Sequence, residues 1–139
     1  MKLQTENTLE KVRILDTTLR DGAQTPNTNM SFYDKFAIAK ALAFVGVDVV
    51  EIGFAGNEIE IEGIKRIAYI GNREFARSEN VPIICCFSKT IGPIEMNSNS
   101  DYIKKAFNCV ANADPDKRMI HTFVGTSKEL IEYRHPKKE

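Results

Sequence analysis

The sequence predicts an α/β protein built from parallel β/α units. Four apolar runs, rich in β-branched and aromatic residues, are bounded by polar, Gly or Pro residues, which is typical of strands buried on both faces. With Val12, Val47, Pro82 and Arg118 as markers of the four runs, the spacings are 35, 35 and 36 residues. That interval accommodates one strand, one helix and two loops, and a strand that returns through a helix pairs in parallel. We therefore expect parallel strands in sequential order, with helices outside, near residues 12–17, 47–53, 82–87 and 118–124.

The first helix is predicted over residues 31–46. Ser31 is followed three residues later by Asp34, which is the pattern of a capping box. Apolar residues such as Phe32 and Phe36 recur at helical spacing, and Gly46 stands where a helix C-cap belongs.

Three further helices are predicted over residues 58–71, from Ser100 to Asp114, and from Ser127 onward. Ser100 is the candidate N-cap of the third helix. The residues expected to be buried are Ile61, Ile64, Ile67 and Ala68 in the second helix and Ile103, Ala106, Phe107 and Val110 in the third.

Composition excludes several classes of function. Lys plus Arg and Asp plus Glu both number 19, so the formal net charge is zero, and neither a nucleic-acid nor a membrane partner is indicated. No apolar stretch reaches the roughly 18 residues of a membrane span, and the polar segment 1–11 lacks the apolar centre of a signal peptide. The three cysteines show no metal-binding spacing and are expected to be buried, reduced thiols. Together these features predict a cytoplasmic protein.

Two architectures have parallel β/α units. A doubly wound sheet would carry a glycine-rich phosphate turn after a strand, and neither G-x-G-x-x-G nor a P-loop occurs here. The eight-unit TIM barrel instead takes its catalytic residues from the C-terminal ends of its strands. Polar residues stand at those ends in this sequence, namely Asp16, Arg20 and Asp21, then Glu51, then Ser88, then His121 with Thr122.

The segment "LDTTLRDGAQTPN" at residues 15–27 carries most of the chemistry. The carboxylate of Asp21 is a hard ligand suited to a divalent cation. The guanidinium of Arg20 is a fixed charge that can stabilise a carbonyl oxygen as it becomes negative. Gly22 is expected to let the backbone turn tightly beside them.

"DTTLRDGAQTPN" resembles the signature of the acyl-transferring aldol barrels, which include 2-isopropylmalate, homocitrate and citramalate synthases and the related 3-hydroxy-3-methylglutaryl-CoA lyase. The resemblance continues through "KFAIAKALAFVGVDVVEIGF" and "IHTFVGTS" and covers roughly residues 12–130. It implies a TIM barrel that performs a Claisen-type condensation of acetyl-CoA with a 2-oxoacid. It also implies a divalent metal (Mn, Mg or Zn) as cofactor and small molecules as substrates.

The resemblance also implies a role for each matching position. Asp21 matches a metal-binding aspartate, and Arg20 matches the arginine that stabilises the enolate and oxyanion. Glu51 matches the acid that holds this arginine and is grouped with it as catalytic. Gln24 and His121 match substrate-binding residues, His121 in the 2-oxoacid pocket.

Two departures from the family pattern stand out. Ala23 stands where the commonest family motif has Glu, although variants with alanine occur among relatives. The H-x-H metal pair of the family has no counterpart in this sequence. A full barrel needs about 250 residues, so we expect residues 12–139 to be the N-terminal half of a catalytic barrel, about four of eight units, after a polar segment 1–11.

Three functions stay open from the sequence. The first is a 2-isopropylmalate synthase-like acyltransferase of leucine biosynthesis, with homocitrate or citramalate synthase as variants. The second is a lyase of the hydroxymethylglutaryl-CoA type, and the third is a truncated chain without catalysis. Simpler roles also stay open, because Arg20 and Asp21 can form a surface ion pair, Glu51 can serve stability alone, and His121 can be a core histidine. Thr17, Thr18, Thr126 and Ser127 can be no more than turn and cap residues.

Two consequences follow for the isolated chain. We expect no appreciable condensation activity, because one carboxylate is a poor site for a divalent ion. We also expect the first and last strands to be edges, so that the chain associates with a second copy or a complementary barrel half.

Overall fold

The computed structural model describes residues 11–75, 81–90 and 102–134. In this part of the chain, strands and helices alternate as the sequence predicts, with short 3-10 turns at Gly22–Gln24 and Pro115–Lys117. The elements are β1 Leu15–Asp16, α1 Phe32–Phe44, β2 Val49–Phe54, α2 Glu58–Glu74, β3 Ile83–Phe87, α3 Tyr102–Val110, β4 Arg118–His121 and α4 Lys128–Arg134.

All four strands pair in parallel in the order β1-β2-β3-β4, which confirms the predicted topology. The sheet is open, and its alternation of strand and helix is that of part of a TIM barrel. Near the end of β2 the register shifts, since Glu51 pairs with Cys85 whereas Phe54 pairs with Phe87. Three residues of β2 thus advance against two of β3, which is a β-bulge beside a strand end.

The prediction that every strand is buried on both faces is wrong for the two edge strands, since all four residues of β4 are only half-buried and β1 is more exposed still. Val12 and Ile14 are 80% and 60% exposed, and only Leu15 and Asp16 have strand geometry. The reason is position, because β1 is an edge strand with one neighbour in the sheet. At the other edge, β4 ends at His121 rather than near residue 124.

The core lies between the helices and one face of the two central strands. Val50 and Ile52 of β2 and Ile84 and Cys86 of β3 are buried there against the three longer helices. The buried helical residues in this cluster are Ala39, Ala43, Ile64, Ile67, Ala68, Ala106, Cys109 and Val110.

The predicted ends of α1 are confirmed. The Ser31 hydroxyl accepts a hydrogen bond from the Asp34 backbone N–H, and the Asp34 carboxylate accepts one from the Ser31 N–H, which completes a capping box. The Ser31 hydroxyl also donates to the Asp34 carboxylate at 2.6 Å, and this bond, together with the one from the Ser31 N–H, holds the pKa of Asp34 below its ordinary value. Gly46 adopts a φ of 85° immediately after the helix, a conformation that glycine reaches without strain.

Helix α2 buries most of its predicted stripe, but the predicted face of α3 is partly wrong. Ile103 and Phe107 are 42% and 46% exposed, whereas Cys109 is fully buried. Positions 106, 109 and 110 share one helical face, and Phe107 lies outside it under the Arg118 guanidinium, 5.0 Å from the ring centroid. The candidate cap Ser100 lies outside the described residues, as does nearly all of the polar segment 1–11.

The three cysteines are free and buried, as predicted. Burial and the nearby Glu51 carboxylate raise the pKa of Cys85 to about 12. The Cys86 thiol donates to the Phe87 carbonyl at 3.6 Å. Its interaction with the Cys109 thiol raises the pKa of Cys86 and lowers that of Cys109. Among the described residues, no helix combines the length and apolar character needed to cross a bilayer.

Candidate active site at the carboxyl ends of the strands

A tight turn after β1 positions the first site residues. The Thr17 carbonyl accepts hydrogen bonds from three consecutive N–H groups, those of Arg20, Asp21 and Gly22, at 3.1, 2.8 and 3.3 Å. Leu19 is fully buried and anchors the turn to the core. The backbone therefore folds back over the end of the sheet and presents the side chains of residues 20 and 21 there.

Two other residues of this segment have local roles. The Asp16 carboxylate accepts hydrogen bonds from the N–H and the hydroxyl of Thr18, at 2.9 and 3.1 Å, so it stabilises the turn. The expectation that Gly22 is needed for tightness is not supported. Gly22 does not have a positive φ, and an added Cβ would meet Thr18 at an ordinary 3.6 Å.

Glu51 is the centre of the site. It lies on β2, and its side chain is fully buried. Its Oε2 atom accepts a hydrogen bond from Arg20 Nε at 2.8 Å, and its Oε1 atom lies 2.7 Å from His121 Nδ1. One buried carboxylate thus joins the residues that follow β1 with the last residue of β4.

Arg20 is fixed in three directions. Besides the bond to Glu51, its Nη1 atom donates to Asp21 Oδ1 at 2.7 Å, and its guanidinium lies 4.7 Å from the centroid of the Phe87 ring. The side chain is 11% exposed. A cation between two carboxylates and an aromatic face has little freedom to reorient, so its charge is preorganised.

His121 completes the cluster from the opposite edge of the sheet. A carboxylate paired with a guanidinium can only accept hydrogen bonds, so we assign the ring hydrogen to Nδ1, facing Glu51. In the neutral ring Nε2 then carries the lone pair. The ring also packs edge-on against Phe87 at 5.7 Å between centroids.

Asp21 and Gln24 lie at the outside of the cluster. Asp21 reaches Arg20 but is 66% exposed, in contrast to Glu51. Gln24 belongs to the 3-10 turn and is exposed, and no hydrogen bond joins its side chain to the cluster. The predicted meeting of Arg20, Asp21 and Glu51 at the strand ends is therefore confirmed, and His121 joins them, whereas Gln24 does not. The catalytic and binding roles of these residues stay predictions.

Comparison with known proteins identifies the family of the chain. The family model described as HMGL-like matches residues 11–139. The chain belongs to the HMGL-like family. This confirms the family resemblance read from the β1 segment.

Several curated relatives of this HMGL-like chain are named as 2-isopropylmalate synthases. The chain is 39% identical over 125 residues to "2-isopropylmalate synthase B" of Solanum pennellii, and the match covers 88% of this chain and 19% of the relative. It is 36% identical to the 2-isopropylmalate synthase of Trichormus variabilis, over 90% of this chain and 21% of the relative. It is also 36% identical to "2-isopropylmalate synthase 2, chloroplastic" of Arabidopsis thaliana, over 88% and 18%. The chain thus spans about a fifth of the length of these relatives.

The described part of this HMGL-like chain does not supply a full set of ligands for the metal that the resemblance implies. Within residues 11–75, 81–90 and 102–134, no three His, Cys, Asp or Glu side chains are grouped so that they could hold a metal ion. Asp21 is the exposed carboxylate of the cluster, and one of its oxygens already faces Arg20. A single carboxylate does not supply the six or more ligands that a hard divalent ion requires.

Sequence reasoning missed Phe87 and assigned Ser88 no role beyond its position at a strand end. Phe87 contacts both Arg20 and His121, and Ser88 is buried beside them, with its N–H bonded to the His121 carbonyl at 2.8 Å. An aromatic residue at the end of β3, level with His121 of β4 in the sheet, was the available signal for Phe87.

Proposed function

We propose that this chain supplies part of the active site of a 2-isopropylmalate synthase-type acyltransferase. The single observation that supports this best is the guanidinium of Arg20, fixed between Glu51 and Asp21 at the C-terminal ends of the strands. The reaction is a Claisen-type condensation of acetyl-CoA with 2-oxoisovalerate, followed by thioester hydrolysis, in leucine biosynthesis.

Arg20 stabilises negative charge in this proposal. When the enolate of acetyl-CoA attacks the ketone carbon of a 2-oxoacid, the ketone oxygen gains an electron pair. A preorganised cation beside that oxygen lowers the barrier because it needs no reorientation as the charge develops. The contacts of Arg20 with Glu51, Asp21 and Phe87 provide that preorganisation.

Glu51 positions other groups rather than reacting. Both of its oxygens are engaged, one by Arg20 and one by His121, and its side chain is fully buried. It orients the guanidinium and fixes the His121 tautomer. The partly exposed His121 ring then offers Nε2 as a hydrogen-bond acceptor to a substrate, which suits a residue of the 2-oxoacid pocket.

The divalent metal of the family is assigned no step here. Asp21 is the residue of this chain proposed as one of its ligands, with Mn, Mg or Zn as the ion. The described residues do not complete the coordination sphere, so further ligands must come from elsewhere. Gln24 stays a proposed substrate contact, and a cytoplasmic location stays a prediction.

The names of the relatives favour 2-isopropylmalate synthase over the alternatives. Homocitrate synthase, citramalate synthase and a hydroxymethylglutaryl-CoA-type lyase share the motif, but the relatives described above are named 2-isopropylmalate synthase. The residues of the pocket determine which 2-oxoacid is used, so the preferred 2-oxoacid is tested with competing substrates.

A chimeric enzyme tests the proposal. Residues 11–139 replace the matching segment of a 2-isopropylmalate synthase relative, and thiol release from acetyl-CoA is measured with 2-oxoisovalerate, pyruvate or 2-oxoglutarate. We expect activity with 2-oxoisovalerate, and a loss of about 100-fold or more in kcat for Arg20→Lys, because one preorganised donor contributes about that much. Arg73→Lys, at an exposed position of α2, is the matched control and should leave the rate unchanged.

Three results would count against the proposal. The first is a folded chimera without turnover, and the second is a chimera that prefers another 2-oxoacid. The third is an isolated 139-residue chain with turnover within the ordinary range of about 1 to 1000 per second, which would show that the chain needs no further ligands.

A further inference from the structure

Four side chains at the carboxyl ends of the strands form a closed ring of contacts. Arg20 donates a hydrogen bond to Glu51, and Glu51 faces the imidazole of His121. Phe87 closes the ring, because its centroid lies 4.7 Å from the guanidinium carbon of Arg20 and 5.7 Å from the centroid of the His121 ring. Glu51 therefore joins Arg20 and His121 through polar contacts, and Phe87 joins the same two groups through its aromatic ring.

The sheet determines the place of Phe87 in this ring. Phe54, Phe87 and His121 lie opposite one another on three neighbouring strands. Without the register shift of β2, Gly53 would lie opposite Phe87, and it has no side chain to offer. The β-bulge instead brings the Phe54 ring to 5.7 Å from the Phe87 ring, between centroids. The bulge beside the site thus gives Phe87 an aromatic neighbour on the β2 side.

Phe87 is also held on the β4 side. The Phe123 ring lies 5.2 Å from the Phe87 ring and 6.1 Å from the His121 ring, between centroids. Aromatic rings at these separations stabilise each other beyond the area that they bury. Phe87 therefore stands between the rings of Phe54 and Phe123, and it can act as a fixed surface against which polar groups are placed.

Arg20 needs such a surface. Its Nε and Nη1 atoms donate to Glu51 and Asp21, but Asp21 is 66% exposed, so water competes for the second bond. The bond to Glu51 alone would let the guanidinium turn towards solvent, and the ring of Phe87 opposes that turn. Within the described part of the chain Nη2 bonds to no acceptor, and no buried side-chain nitrogen lacks a partner. Nη2 is therefore open to solvent and available to a ligand.

His121 is held in the same way. Its Nδ1 atom faces Glu51, and one polar contact leaves the imidazole plane free to tilt. The planes of the His121 and Phe87 rings meet at 71°, in an edge-on contact that restricts this tilt. Nε2, on the other side of the imidazole from Cδ2 and Cε1 bonds to Nδ1, is the nitrogen left for a substrate.

We propose that Phe87 is a positioning residue, which holds the Arg20 guanidinium and the His121 imidazole in one fixed relative orientation about Glu51. The open donor Nη2 of Arg20 and the open acceptor Nε2 of His121 then meet a substrate as a rigid pair. For catalysis, this role rests on the acyl transfer proposed above, whereas the rigidity of the pair is measured without any substrate.

NMR relaxation of the arginine Nε–H groups in the 139-residue chain tests the rigidity. The Arg20 signal is identified by its loss in Arg20→Lys. We expect an order parameter of about 0.85 for Arg20 in the parent chain and below about 0.6 in Phe87→Leu, which removes the aromatic face. Phe87→Tyr keeps the ring and should keep the parent value. Ring relaxation of His121 should show the same order among the variants.

A second pair of an arginine and a phenylalanine provides the matched control. Phe107 on α3 lies under Arg118, with 5.0 Å between the guanidinium carbon and the ring centroid, and neither residue contacts the ring of four. Phe107→Leu should therefore increase the mobility of Arg118 and leave Arg20 unchanged. Circular dichroism checks that each variant is folded, and Phe87→Met replaces Phe87→Leu if the leucine variant is not.

Rates are measured in the chimeric enzyme described above. Phe87→Leu should lower kcat about tenfold and raise KM for 2-oxoisovalerate several-fold, because both substrate-facing groups lose their orientation. Phe87→Tyr should restore both constants to near the parent values, and Phe107→Leu should change neither. A loss of stability alone would reduce the amount of active enzyme without raising KM.

The two measurements separate the two proposals. An Arg20 signal that is equally rigid in the parent chain and in Phe87→Leu would overturn the positioning role, and so would equal mobility of Arg20 in Phe87→Leu and Phe107→Leu. A mobile Arg20 in Phe87→Leu, together with a folded chimera that has no turnover, would support the positioning role and refute the acyl transfer. An active chimera with unchanged kcat and KM in Phe87→Leu would do the opposite.

Discussion

The two central strands and the two edge strands of the sheet differ sharply in burial. On β2, Val50, Glu51 and Ile52 are all fully buried, whereas Val12 and Ile14 beside β1 are mostly exposed. The candidate active site uses both environments. Glu51 belongs to the buried centre, and the residues that it holds, Arg20 and His121, arrive from the two edges. The centre of the sheet therefore determines where the edges place their functional groups.

The largest expected effect is at the buried centre. Glu51→Ala removes the shared partner of Arg20 and His121 and leaves a partly buried guanidinium without its main carboxylate. We expect a loss of about 4 kcal/mol in the free energy of unfolding, the usual cost of removing one partner of a buried ion pair. Urea unfolding followed by circular dichroism measures it. Glu62→Ala on the exposed face of α2 is the control and should stay within about 0.5 kcal/mol. Equal costs would remove the distinction between centre and surface.

A pair of isoleucines sharpens the same comparison. Ile52→Ala leaves a cavity in the core and should cost about 3 kcal/mol, whereas Ile14→Ala at the edge should cost less than about 0.5 kcal/mol. Both are measured by urea unfolding at the same protein concentration. A large cost at Ile14 would show that β1 is packed within a single chain after all.

The cap of α1 has a smaller expected effect. Ser31→Ala removes the hydroxyl that bonds the Asp34 N–H and should cost about 1 kcal/mol. The Ser31 hydroxyl also donates a hydrogen bond to the Asp34 carboxylate, which lowers the pKa of Asp34. This second bond contributes fully above the ordinary carboxyl pKa and is lost as the pH falls through the lowered value, whereas the bond to the Asp34 N–H remains. Thermal unfolding between pH 7 and pH 2 should therefore show the parent and variant curves drawing closer in acid. Parallel curves would contradict the linkage.

The smallest expected effect is thiol labelling. Cys85 and Cys86 lie on the buried central strand β3, and both thiols stay protonated because their pKa values are raised. Burial raises the pKa of Cys85 to about 12, and the interaction with Cys109, together with burial, raises that of Cys86. We expect almost no iodoacetamide labelling of the folded chain at pH 7, and little increase at pH 9. Cys109 lies on α3 rather than on a central strand, so it should be labelled first when urea is added. Mass spectrometry of the labelled peptides identifies the order, and early labelling of Cys85 would show that the centre opens readily.

The topology could be predicted from the sequence because strand and helix periodicities alternate at a constant interval, and parallel crossovers leave few arrangements. The limits of the strands could not be predicted, because the length of β1 depends on whether a paired strand lies on each side of it. The prediction of the buried face of α3 was wrong at Ile103 and Phe107, because an apolar residue at helical spacing can also stay partly exposed. Phe107, for example, lies under the Arg118 side chain.

For the site, the charged members were predictable and the aromatic one was not. Arg20, Glu51 and His121 stand at successive strand ends, where parallel topology brings them together. Phe87 was not predicted, because its place beside His121 depends on the register of β3 and β4, and its contact with Arg20 depends on side-chain directions that no local pattern encodes. Asp16 illustrates the converse, because it stands at the same end of the sheet but serves only the turn.

The two bonds to Glu51 also give the site an order of assembly. The bond to Arg20 closes a loop of 31 residues, whereas the contact with His121 closes one of 70. The longer closure costs roughly 0.7 kcal/mol more in chain entropy. During synthesis the chain can therefore set the arginine in place as soon as β2 has joined β1. The histidine must wait until β4 has left the ribosome and docked on β3. The same difference makes the β4 side of the cluster the first to separate when the sheet opens. The bond between Glu51 and Arg20 therefore forms first during folding and breaks last during unfolding.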